Sequence, residues 1–290
     1  MTGDEGGDYI TYTDDYVSVT VGDDIGSFEG ISALKNNGTL VAQDDVTTNW
    51  TIFDENKGTV SDASMGGQEL SFNGFSSIKG GSGVDNFTLI EAGTMTGLID
   101  GANGSDSLDI SALNNQTVEM GNEVNDKLNL VNVESITANN NSENTLIADD
   151  VANNWLINSN KGGSVTYGES TTFFNNFDYL VGGTAFDAFT VTTGGVTSSI
   201  EMGAGNDSFT STGGNLTRVD GGDGIDEFDI NDLATIGLVD GGFGSDKVTL
   251  LDADQSAILG TNVTAVETIS ATAGDASLTA QNEFNTWTIK

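Results

Sequence analysis

A six-residue pattern, with glycine first and fourth and aspartate sixth, recurs along this chain and leaves it few ways to fold. It occurs as GDEGGD (3–8), GGSGVD (80–85), GANGSD (101–106), GGDGID (221–226) and GGFGSD (241–246). Weaker copies are GNEVND (121–126), GGTAFD (182–187) and MGAGND (202–207). Two residues after each Asp stands an apolar residue: Ile10, Phe87, Leu108, Leu128, Phe189, Phe209, Phe228 and Val248. Four residues after it the position is apolar again in most copies, with Ser211 the exception. Alternation with period two marks a strand with one buried face. Each unit therefore reads as a Gly-rich turn, an Asp and a strand.

The spacing turns these units into a coil. The Asp positions 85, 106 and 126 are 21 and 20 residues apart, and 187, 207, 226 and 246 are 20, 19 and 20 apart. Between motifs lies a second apolar strand, as at Met95–Ile99, Val196–Ile200 and Ile236–Val239. A chain that returns to the same turn at constant spacing winds a solenoid. The fold expected is all-β: one continuous right-handed parallel β-solenoid (β-helix or β-roll) over 1–290. Its coils have about 20 residues, and the Gly-Asp turns stack on one edge. No stretch of period 3.6 argues for helix.

A longer repeat overlies the coil. Segments 28–52, 133–157 and 266–289 resemble one another, with Trp50, Trp155 and Trp287 marking the register. This divides the chain into super-repeats of approximately 28–132, 133–265 and 266–290, the last truncated. The tryptophans are expected to pack at a coil corner. A chain that stops in mid-repeat reads as a portion of a longer polypeptide, or as a subunit whose ends stack on neighbours.

Composition narrows the chemistry. The chain holds 44 acidic and 8 basic residues, for a formal charge of −36, and has no Pro, Cys or His. Such a charge repels itself unless cations neutralise it. It argues against nucleic acid as partner, which needs Lys and Arg. No apolar run of the length a membrane span requires is present, so no insertion is expected. Without Cys there are no disulfides or thiolate sites, and without His the commonest transition-metal ligand is missing. Carboxylate, amide and backbone oxygens remain, the ligand set of hard cations such as Ca2+.

The motif and its following strand resemble the nonapeptide GGxGxDxUx of RTX-type secreted bacterial proteins, U being a large apolar residue. Gly80 to Thr88 matches at every position. The resemblance implies that the turns bind calcium and that the U residues form the core. The ligands it implies are Gly3, Gly6 and Asp8; Gly80, Gly81, Gly83 and Asp85; Gly101, Asn103, Gly104 and Asp106; Asp187; Gly203, Gly205 and Asp207; Gly221, Asp223, Gly224 and Asp226; and Gly241, Gly244 and Asp246. Asp100, Asp220 and Asp240, each preceding a first glycine, are candidate additional ligands. Family motifs run in tandem every nine residues, whereas here the motif returns every 20 or so. One calcium ladder along one edge is therefore expected.

This pattern is similar to the repeat regions of large secreted bacterial adhesins, fibres and matrix proteins. It implies a structural module of an extracellular fibre, adhesin stalk, or biofilm or surface-layer protein that folds on calcium outside the cell. The expected partners are further copies, head to tail or lateral, neighbouring repeats of a longer chain, and a cell-surface or matrix polysaccharide. The rival reading is a calcium-dependent β-helix enzyme or binding module acting on polysaccharide. Such an enzyme needs a base and a neutralising cation beside a carboxylate cluster, and Arg218 with seven scattered lysines forms no such group. No catalytic residue is assigned.

Overall fold

The computed structural model describes residues 8–11, 19–20, 31–35, 38–62, 69–121, 127–232, 235–272 and 276–280. The described residues are all-β, and strands join into long, mainly parallel sheets. The chain divides into two compact units. One comprises Met1–Leu146 with Thr172–Asn176, and the other Ile147–Thr171 with Phe177–Lys290.

In the second unit the motif strands stack in order. Asp187–Val191, Ser208–Ser211, Glu227–Ile230, Lys247–Leu250 and Thr268–Ala271 are parallel neighbours. The register places Phe189 against Phe209, Phe209 against Phe228, Phe228 against Val248, and Val248 against Ile269. The four motif residues among these are at most 1% exposed. A second parallel sheet runs through Tyr179–Gly183, Val196–Gly205, Asn215–Gly224 and Ile236–Asp240. Its Leu180, Ile200, Val219 and Val239 are buried too, so alternate residues of both sheets supply the core. The first unit repeats the plan. Phe87, Leu108 and Ile136 share one column, and Ile78, Ile99 and Leu130 another.

Two features depart from the sequence-based expectation. First, the parallel order is interrupted. Thr48–Asp54 turns back antiparallel onto Lys57–Asp62, which pairs antiparallel with Leu70–Asn73. Asn153–Ser159 likewise pairs antiparallel with Gly162–Tyr167. Both hairpins close through two residues, the second at positive φ: Asn56 (52°) and Lys161 (55°). Second, Trp50 and Trp155 sit within these strands, not at a corner. Each stacks on the U residue of the adjacent motif strand, Trp50 on Phe87 with ring centroids 5.9 Å apart and Trp155 on Phe189 at 5.2 Å. A large ring placed mid-strand fills the core against the phenyl of the next repeat, an arrangement that stabilises beyond area burial alone.

Candidate metal centre

The motif aspartates form a buried ladder in each unit. Asp85, Asp106, Asp187, Asp207, Asp226 and Asp246 are 0–2% exposed. All but Asp85 use one carboxylate oxygen to receive the backbone N–H of the preceding ladder residue. Asp85 N–H donates to Asp106 Oδ1 (2.8 Å), Asp187 N–H to Asp207 Oδ1 (2.8 Å), Asp207 N–H to Asp226 Oδ1 (2.8 Å), and Asp226 N–H to Asp246 Oδ1 (2.9 Å). The N–H of the aspartate that ends each motif is thereby satisfied from the next repeat.

The ladders have ends that the motif does not contain. Asp106 N–H donates to Glu134 (2.6 Å) and Asp246 N–H to Glu267 (2.7 Å). At the opposite ends, Thr48 Oγ1 donates to Asp85 Oδ1, and Asn153 donates to Asp187 Oδ1 through N–H (3.0 Å) and Nδ2 (2.8 Å). The sequence reading assigned no role to Thr48, Glu134 or Glu267, and took Asn153 with Asn154 as a stacked turn ladder or exposed loop. Their signal lay in the super-repeat: Glu134 and Glu267 open the aligned VESI and VETI segments, and Thr48 and Asn153 both stand two residues before Trp. Of the weak copy at 121–126 only Gly121 is among the described residues. The strand after it, Leu128–Val131, joins the second sheet against Leu98–Asp100 and Thr117–Met120.

The second carboxylate oxygen defines the chemistry. Oδ2 of Asp106, Asp187, Asp207, Asp226 and Asp246 is buried and has no hydrogen-bond donor. Four of these oxygens face the first glycine of their own motif. A Cβ at Gly101, Gly182, Gly221 or Gly241 would collide with it and with a backbone carbonyl of the neighbouring repeat. The missing Cβ thus leaves a space bounded by carboxylate and carbonyl oxygens. The turns also stack tightly. A Cβ at Gly104, Gly205, Gly224 or Gly244 would meet the carbonyl of Gly83, Ala185, Gly205 or Gly224.

Burying an ionised carboxylate without a donor or a cation is costly, and it drives the group toward its neutral form. Burial raises Asp106 to about 7, helped by the charges of Asp85, Glu134 and Asp100 and opposed by the Asp85 N–H. Burial likewise lifts Asp207 and Asp226 to about 6 against the N–H bonds they accept, and neighbouring ladder carboxylates add to the rise. Asp187 reaches about 6 by burial, opposed by Asn153 and the nearby Gly183 amide, with Asp150 adding repulsion. Asp85 and Asp246 also rise through burial.

The other sequence-assigned residues lie elsewhere. Gly3 and Gly6 fall outside the described residues, and Asp8 opens a strand whose side chains are not described. Asn103 and Asp223 are exposed at the third motif position. Asp100 is bound by Lys79 (2.5 Å), Asn132 and the Ala102 N–H, which lower its pKa despite its burial. Arg218 bridges Asp220 (2.6 Å) and Asp240 (2.8 Å). These three carboxylates, on the second sheet, already have protein cations, whereas the ladder has none. Among the described residues no three acidic side chains converge on one point. An ion in a turn would thus take one ladder carboxylate and complete its shell with turn carbonyls, an all-oxygen set suited to calcium.

Comparisons with protein-family models, with curated proteins and with solved structures find no match to this chain.

Proposed function

We propose that this chain is a calcium-stabilised structural module of an extracellular bacterial fibre, adhesin stalk, or biofilm or surface-layer protein. In this reading it winds as a right-handed parallel β-solenoid with coils of about 20 residues. The right-handed sense follows the general rule for parallel crossovers. One observation carries the proposal: among the described residues, five buried ladder oxygens have neither a hydrogen-bond donor nor a lysine or arginine partner, in a chain of formal charge −36. Ladder carboxylates and turn carbonyls would hold the ions, and calcium would supply the positive charge the sequence omits. Binding free energy is then folding free energy, so the chain stays unfolded where calcium is scarce and folds outside the cell. The same neutralisation lets copies of so acidic a chain associate, head to tail or laterally. The role proposed is architectural.

The test is circular dichroism and thermal melting of the full chain in millimolar calcium and in chelator. The expected result is loss of β signal in chelator and its return on adding calcium. Superimposable spectra and melts would overturn the proposal.

A further inference from the structure

Two Asp-Asp-Val turns precede the Trp strands, at Asp44–Val46 and Asp149–Val151. Neither contains the glycine motif, yet each lies against a glycine turn of its own unit, at 80–85 and at 182–187. Gly81 and Gly83 back onto the carbonyls of Gln43 and Val46. Gly183 backs onto Asp149 O and Asp150 Oδ1, and Thr184 N–H donates to that same Asp150 oxygen (3.0 Å). Each is a glycine-free layer stacked on a motif turn.

The two layers differ in what they leave unsatisfied. In the second unit the Asn153 amide is 1% exposed and lies inside the turn, its Nδ2 donating to Asp149 O (3.0 Å), Val151 O (2.6 Å) and Asp187 Oδ1 (2.8 Å). Those three acceptors fix the amide's orientation. Its Oδ1 is left buried with no donor, and Asp187 Oδ2 makes no hydrogen bond, although the Gly183 amide lies near that carboxylate. In the first unit the equivalent residue is Thr48, whose hydroxyl donates to Asp85 Oδ1 and accepts from Trp50 Nε1 (2.9 Å). Asp85 Oδ2 receives the Gly81 N–H (2.9 Å), and Asp45 is occupied by Ser82. Every corresponding polar group there has a partner.

We infer that the second unit holds one additional calcium ion at the start of its turn stack, bound by Asp150, Asp187 Oδ2, Asn153 Oδ1 and turn carbonyls, and that the first unit has no such site at Asp45, Thr48 and Asp85. The inference rests on the calcium reading of the ladder. Two carboxylates and an amide oxygen, all hard donors, are set together, and no described lysine or arginine pairs with either carboxylate. Asp150 is solvent-exposed, giving the ion a way in.

The experiment counts calcium bound per chain by isothermal titration for the full-length protein and for Asp150→Asn and Asp45→Asn. Both positions are exposed, so both variants keep the fold, as circular dichroism in calcium will verify. Asn153→Thr, which copies the first unit, is the second probe. The expected result is that Asp150→Asn and Asn153→Thr each lose one ion, or hold it roughly tenfold or more weakly, while Asp45→Asn matches the parent. Equal stoichiometry and affinity in all four proteins would overturn the inference and leave the ladder reading standing. Equal losses in Asp150→Asn and Asp45→Asn would overturn the asymmetry. No calcium bound by the parent would overturn the ladder reading, and the inference with it.

Discussion

The two units carry the same ladder at different lengths and with different endings. The first runs Thr48, Asp85, Asp106, Glu134. The second runs Asn153, Asp187, Asp207, Asp226, Asp246, Glu267. In the first, Asp85 is satisfied on both oxygens and only Asp106 keeps a bare Oδ2; in the second, all four aspartates do. The backbone bonds are alike, so what separates the units is how much uncompensated carboxylate each buries. Lengthening the ladder by a repeat adds core and sheet bonds, and it also adds one buried charge. The second unit should therefore depend on cations more steeply than the first.

The strongest way to break this comparison is through the turn stack. Gly222 has φ +95°, and a Cβ there would strike the Gly203 carbonyl. Gly222→Ala is expected to cost about 3 kcal/mol or more and to disrupt the second unit, because backbone on both sides cannot yield. Urea unfolding in calcium measures it.

Asp207→Asn sharpens the account by reversing sign with conditions. The amide oxygen still accepts the Asp187 N–H, but the buried charge is gone. In chelator at neutral pH the variant should keep more β signal than the parent, because one buried charge fewer opposes folding. In calcium it should be less stable. Paired denaturation curves check both halves, and a change of the same sign in both would contradict the account.

Acidification should act in the same direction as the amide. Asp106 near 7, and Asp187, Asp207 and Asp226 near 6, all lie above the ordinary value of 3.8. The folded chain then binds more protons than the unfolded one between about pH 4 and 7, so its stability falls as pH rises through that window. In chelator, more β signal is expected at pH 5 than at pH 7.5, with the larger gain in the second unit, which holds three of the four groups.

The smallest effect lies in the first unit. Ala102 occupies the motif position equivalent to Gly222, with φ +70°. Ala102→Gly relieves left-handed strain and is expected to stabilise by about 1 kcal/mol, read from the urea midpoint.

Much of this was legible in the chain itself. The period-two alternation after each Asp located the core residues from Phe87 to Val248, and the glycine spacing anticipated the stacked parallel strands. The antiparallel hairpins were not legible. Thr48–Asp54 and Lys57–Asp62 alternate just as parallel strands do, and direction is set by the short loop at Glu55 and Asn56, which lacks a Gly signal at its second position. The ladder ends were missed because Glu134 and Glu267 do the aspartate's work without its glycine turn. For Asp100, Asp220 and Asp240, sequence adjacency to the motif suggested ligands, but strand register brings Lys79 and Arg218 to them instead.

Hydrogen exchange of the full chain with and without calcium tests the central claim most directly, because it reads each strand separately. On removing calcium, strands Ser208–Ser211 and Glu227–Ile230 should lose protection by roughly tenfold or more, and further than Ser107–Asp109 of the shorter ladder. Protection that is the same in calcium and in chelator across both ladders would contradict the claim that these buried carboxylates need a cation.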